Sequence, residues 1–143
     1  MTGDYRLKPL GREMSSSRRI RVLLVKTSLD GHWRGLAIVS RALRDAGMEV
    51  VYGGFLNTEQ AVSVALQEDV DVVGLNIGGG YGVVEAILKN VSEKNLRTLI
   101  VAGGAIPPPD IALLESMGIN KVFPPGSSLD SIVTYIKENV RAR

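Results

Sequence analysis

Lys26-Thr27-Ser28-Leu29-Asp30-Gly31-His32-Trp33-Arg34-Gly35 joins an apolar run to an amphipathic one, and that junction sets the fold. Val22, Leu23, Leu24 and Val25 before it read as a buried strand, while Leu36, Val39, Leu43 and Ala46 after it recur at helical spacing. His32, the only histidine in the chain, therefore belongs on a strand-to-helix loop, the place where open α/β sheets bind ligands. In the spacing Asp30-x-His32-x-x-Gly35 a carboxylate two residues upstream can bond one imidazole nitrogen while the other coordinates a metal. Gly35 lets a helix begin close beneath a large ligand. The plainer reading is that a lone loop histidine is solvated or caps a helix. With no cysteine and no second histidine no zinc site can be assembled, and a single protein ligand suffices only where a macrocycle supplies the others.

From Ile20 onward strand and helix patterns alternate five times. Ile20 to Lys26 is the first strand, and the helix after Gly35 ends near Gly47, a residue type favoured just past a helix end. Glu49 to Tyr52 form the second strand, followed by Gly53-Gly54 and a helix that Asn57 or Thr58 caps. Val70 to Ile77 is a nearly unbroken apolar run and reads as the central strand. Beyond Gly78-Gly79-Gly80-Tyr81-Gly82, the residues Val83, Val84, Ile87, Leu88 and Val91 give the third helix its inner face. Leu99 to Val101 is the fourth strand, the fourth helix begins near Pro108-Pro109-Asp110, and Ile119 to Phe123 is a short fifth strand. The last helix starts at Ser127 or Ser128, with Ser127 and Asp130 at capping-box spacing and Leu129, Ile132, Val133, Ile136 and Val140 facing inward. This alternation predicts an α/β protein with a doubly wound, five-stranded parallel sheet in the flavodoxin-like (Rossmann-like) order 2-1-3-4-5. In that order the loops after the first and third strands, the His32 stretch and the Gly78-Gly79-Gly80 stretch, meet at the switch point, and Gly103-Gly104 continue the crevice.

The 143 residues suffice for one domain with a continuous core. A net charge of +2 is too small to argue for nucleic acid, and the basic residues at the two ends read as solvated tails. Absence of cysteine removes disulfides and thiol catalysis and fits a reducing compartment; no stretch reaches membrane-spanning length or resembles a secretory signal, so a cytoplasmic location is expected. Residues 1–19 combine Gly3, Gly11 and Ser15-Ser16-Ser17 without apolar periodicity and read as a flexible arm, with Met14 an alternative start and residues 20–143 the folded domain. Such an arm could lie across a partner subunit.

Asp30-Gly31-His32-Trp33-Arg34-Gly35 resembles the cobalamin-binding signature of adenosylcobalamin-dependent acyl-CoA mutases and of methionine synthase, and Lys26 stands where the mutases carry a lysine. Gly103-Gly104-Ala105-Ile106-Pro107 is similar to the second glycine-rich segment of those domains, and Pro124-Pro125-Gly126 to their last loop before the final helix. The likeness spans Arg18 to Val140. It implies a cobalamin-binding domain in which the corrinoid's own dimethylbenzimidazole base is displaced and His32 becomes the lower cobalt ligand. Asp30 then accepts the other imidazole N–H, with Lys26 behind it balancing the carboxylate. Gly31, Trp33, Arg34 and Gly35 complete the signature. The free base enters a sheet pocket walled by Gly78, Gly79, Gly80, Gly103 and Gly104, with Asn76, Pro125 and Gly126 in contact with the cofactor.

Two positions depart from the family pattern. Asn76-Ile77-Gly78 stands where Ser-x-Leu is usual, exchanging a hydroxyl for an amide and removing a leucine wall, and Trp33 replaces a common acidic residue. Glycine loops also cradle phosphates, but the chain has neither Gly-x-Gly-x-x-Gly after its first strand nor a Gly-Lys-Ser/Thr loop. A phosphoaccepting receiver would need acidic residues at strand ends, whereas Asp71 opens its strand.

Cofactor binding uses the whole domain, so the resemblance implies a small subunit, inactive alone, in a hetero-oligomer with a large subunit that binds the CoA ester. Arg41 to Gly47 and Glu68 to Gly74 look closer to acyl-CoA mutases than to glutamate mutase, and methylmalonyl-CoA mutase is the commonest of these. The implied activity is a radical carbon-skeleton isomerisation dependent on adenosylcobalamin. The alternative is a non-catalytic corrinoid carrier or sensor.

Overall fold

Val22 and Leu24 project to one side of the first strand and Leu23 and Val25 to the other, so a single apolar run feeds two cores. The computed structural model describes residues 18–28, 34–55 and 57–140. The strands are β1 (Arg21–Lys26), β2 (Glu49–Phe55), β3 (Val72–Ile77), β4 (Leu99–Gly104) and β5 (Lys121–Val122). The helices are α1 (Arg34–Asp45), α2 (Thr58–Gln67), α3 (Gly82–Glu93), α4 (Pro108–Ser116) and α5 (Leu129–Asn139). All neighbouring strands are parallel, in the expected order β2-β1-β3-β4-β5. On one face Leu23, Val25, Val73, Leu75, Ile100 and Ala102 meet apolar residues of α2, α3 and α4, among them Ala61, Ile87 and Leu114. On the other, Val22, Leu24, Val72 and Val101 meet Leu36 and Leu43 of α1 and Ile136 of α5.

Two strands run further than local sequence suggests. β2 continues through Gly53-Gly54 to Phe55, with a bulge: Leu24 pairs with Tyr52 but Val25 with Gly54, leaving Gly53 unpaired, and Gly54 has φ of +68°. β4 continues through Gly103 and Gly104, which pair with Asn76 and Ile77. Conversely, β5 is reduced to Lys121–Val122, held where Asn120 Oδ1 accepts from Ile100 N (2.8 Å) and Glu115 Oε2 accepts from Val122 N (3.1 Å). Asn57 caps α2 in a reciprocal box with Gln60. The cap of α5 is Ser128, which accepts from Ser131 N; Ser127 instead donates its hydroxyl to Pro124 O (2.7 Å), so the expected Ser127–Asp130 box does not form. Leu129 is 39% exposed, not inward-facing.

At the opposite end of the sheet, Asp71 is buried and clamps the start of β1, accepting from Arg18 Nη2 (2.7 Å) and Arg21 N (2.9 Å). This accounts for its place before β3. Of the expected arm, residues 1–17 lie outside the described residues, and Arg18 is already tied to the sheet. Among the described residues no helix is long and apolar enough to cross a membrane.

Candidate functional site

On the α1/α5 face the central strands carry a glycine in each of two successive rows toward their carboxyl ends. One row across the sheet is Leu24, Gly74 and Val101; the next is Lys26, Asn76 and Gly103. Gly74 and Gly103 contribute no side chain, so the sheet falls short of the helices and leaves a cavity of about 280 Å³. Leu36, Val39 and Leu43 of α1 and Ile132 and Ile136 of α5 close its far side, and Phe123 to Ser127 form its rim. Its size suits a flat heteroaromatic group and is too small to enclose a macrocycle.

The glycines of β4 have different roles. At Gly104, with φ of +118°, a Cβ would stand 2.5 Å from Ile77 O and 3.0 Å from Ile77 N, so backbone geometry and packing both demand glycine. At Gly103 the nearest atom to a Cβ would be Phe123 O at 3.7 Å, an ordinary contact; its missing side chain is cavity space. Gly74 is intermediate, because a Cβ there would meet the movable Leu24 Cδ2 at 2.7 Å.

Polar groups are few. Lys26 is 1% exposed at the end of β1, beside Asn76 in register. Thr27 fastens the start of the His32 stretch to β3: its N–H donates to Asn76 O (3.0 Å), and its hydroxyl oxygen lies 3.4 Å from both that carbonyl and Gly78 N, accepting from the latter. Across the crevice Tyr81 donates its hydroxyl to Asp110 Oδ2 (2.5 Å), tying the β3–α3 loop to the first turn of α4. That bond raises the Tyr81 pKa above its ordinary value, with desolvation and the carboxylate charge adding in the same direction. Among the described residues no group of three or more His, Cys, Asp and Glu side chains is placed to hold a metal ion.

Of the residues singled out in the sequence, the structure brings Gly35, Asn76, Gly103, Gly104, Pro125 and Gly126 together around the cavity. Gly78 and Gly79 lie outside its lining, Gly78 buried against Thr27 and Gly79 exposed. Asp30, Gly31, His32, Trp33 and the side chain of Arg34 lie outside the described residues. Sequence reading passed over Gly74, although a glycine inside an apolar strand is a signal of close approach by a ligand or another backbone. It also passed over the apolar lining from α1 and α5, which reads in sequence as ordinary core.

Residues 20–133 match the B12 binding domain family. The chain is 46% identical over 125 residues to a 2-hydroxyisobutanoyl-CoA mutase small subunit of Aquincola tertiaricarbonis, an alignment covering 82% of this chain and 92% of that one. It is 37% identical over 125 residues to a pivalyl-CoA mutase small subunit of Xanthobacter autotrophicus (85% and 84% covered). With a methylmalonyl-CoA mutase of Cereibacter sphaeroides it shares 31% over 148 residues, covering 97% of this chain and 21% of that one. Among solved structures, the receiver domain of Klebsiella pneumoniae RstA superposes with a TM-score of 0.68 at 15% identity, covering 85% of this chain and 98% of that one, a likeness of fold alone.

Proposed function

We propose, from the premise that the chain belongs to the B12 binding domain family, that it is the cobalamin-binding small subunit of an acyl-CoA mutase, with His32 the lower axial ligand of cobalt. The observation that carries this reading is the glycine-walled, apolar cavity at the carboxyl ends of β3 and β4, whose lining includes Gly35, three residues beyond His32. When bound, adenosylcobalamin supplies a weak cobalt–carbon bond, the source of the radical chemistry of such isomerases.

The chain's own residues hold and tune. His32 offers one imidazole nitrogen as a ligand, and Asp30 accepts from the other, fixing the tautomer. Lys26, buried at the end of β1, supplies the positive charge behind that carboxylate. The displaced nucleotide tail occupies the cavity, where Gly74 and Gly103 leave room and Gly104 fixes the wall against β3. The acyl-CoA ester is bound by a large subunit, which also decides the substrate. The enzyme is cytoplasmic, in keeping with a chain that has no cysteine.

The test is reconstitution with a large subunit, beginning with 2-hydroxyisobutanoyl-CoA because that relative shares 46% identity, against 31% for the methylmalonyl-CoA enzyme. Turnover is expected only with both subunits and adenosylcobalamin present. In the same titrations His32→Ala abolishes the histidine-ligated spectrum and Asp30→Asn perturbs it less. Tight corrinoid binding without turnover in any pairing would instead favour a carrier or sensor, and normal spectra and affinities in both variants would sink the ligand assignment.

A further inference from the structure

We propose that Tyr81 and Asp110 form a positioning clasp that holds the Gly78-Gly79-Gly80 loop in its receiving shape before a corrinoid arrives. The inference rests on the reading that the corrinoid seats at the carboxyl end of the sheet. Four of the five residues from Gly78 to Gly82 are glycine, so the stretch has unusual backbone freedom. Packing does little to remove it: Gly79, Gly80 and Gly82 are exposed, and a Cβ added to any of them would meet nothing within 4 Å. Two polar anchors do more. At one end the Gly78 N–H donates to the Thr27 hydroxyl oxygen at 3.4 Å, where the His32 stretch begins. At the other the Tyr81 hydroxyl donates to Asp110 Oδ2 at 2.5 Å, in the first turn of α4. Tyr81 stands at the N-cap of α3 without capping it, and its ring packs on the core, so its hydroxyl serves the neighbouring element and not its own helix.

The segments that follow β1, β3 and β4 are thereby fastened into one rim at the binding end of the sheet. A glycine loop left free would have to be ordered when the ligand binds, and the lost entropy would weaken affinity. The clasp removes that freedom during folding. Tyr81 and Asp110 act through the loop, and neither is assigned a contact with the cofactor.

The experiment combines absorbance titration of the full chain with adenosylcobalamin and nitrogen-15 relaxation of the Gly79 and Gly80 amides, with and without the cofactor. In free wild type the order parameters should lie near those of rigid backbone, about 0.85. Tyr81→Phe keeps the packed ring and loses the donor. It should bind adenosylcobalamin about tenfold more weakly, with loop order parameters falling below about 0.6 in the free protein and returning to the wild-type values in the complex. Asp110→Ala should match it, and the double variant should bind no more weakly than either single one. Asp110→Asn, which keeps an acceptor for the Tyr81 hydroxyl, should restore most of the affinity and the loop order, a rescue that a merely structural role does not predict. Wild-type affinity in Tyr81→Phe, or weakened binding with an unchanged loop, would overturn the clasp. Equal weakening in Asp110→Asn and Asp110→Ala would also overturn it, by assigning the effect to the carboxylate charge. Failure of the wild-type chain to bind adenosylcobalamin at all would sink the reading beneath the inference, and the inference with it.

Discussion

Gly103 and Gly104 are adjacent in the chain and lack a side chain for opposite reasons, one leaving space for a guest and the other permitting its own backbone. Gly104→Ala places a methyl 2.5 Å from Ile77 O at a φ of +118°. It should cost about 2 kcal/mol or more, read as a lowered urea midpoint with unchanged slope. A stability equal to wild type would show that β3 and β4 part easily there. Tyr81 gives a second prediction. Its pKa is raised above 10.0 by donation to Asp110, so the contribution of that bond is intact below pH 10 and is lost as pH rises through the folded-state value. The stability gap between wild type and Tyr81→Phe should therefore close in alkaline solution; a gap constant through that range would mean the hydroxyl contributes only by packing.

At the scale of elements, Gly103→Ala separates folding from binding in β4. Its Cβ meets only an ordinary contact, so stability should change by less than about 1 kcal/mol, while cobalamin affinity falls because the methyl occupies cavity space. Unchanged affinity would place the nucleotide elsewhere. The same strand shows what was legible. Hydrophobic patterning marked the strands and the inner faces of α1, α3 and α5, whereas α2 and α4 were marked by a capping residue and by prolines, α4 burying only Leu114. Local reading cut β2 and β4 short at Gly53-Gly54 and Gly103-Gly104, since glycine pairs locally signal turns, whereas the pairing of Gly54 with Val25 and of Gly103 with Asn76 is made by distant strands. Of the two caps the sequence offers for the last helix, Ser128 takes the position, because the Pro124 carbonyl captures the Ser127 hydroxyl.

For the whole molecule, the cavity draws its lining from Val22 at one end of the chain to Ile136 at the other, through three central strands, two helices and a loop. No local pattern could show that these residues share a space. The signature residues were legible because they are contiguous, as was the glycine-rich segment of β4, while Gly74 and the α1 and α5 lining became part of the site only through the parallel stacking of β1, β3 and β4. Ligation of a corrinoid by one histidine, with the nucleotide tail displaced into the fold, is the proposal on which the rest depends. It is tested most directly by electron paramagnetic resonance of the complex with cob(II)alamin, using protein labelled with nitrogen-15 histidine, since His32 is the sole histidine. Ligation by His32 predicts that the cobalt superhyperfine pattern changes from a triplet in unlabelled protein to a doublet in labelled protein. A triplet in both would mean that the cofactor's own base remains on the metal, contradicting the claim.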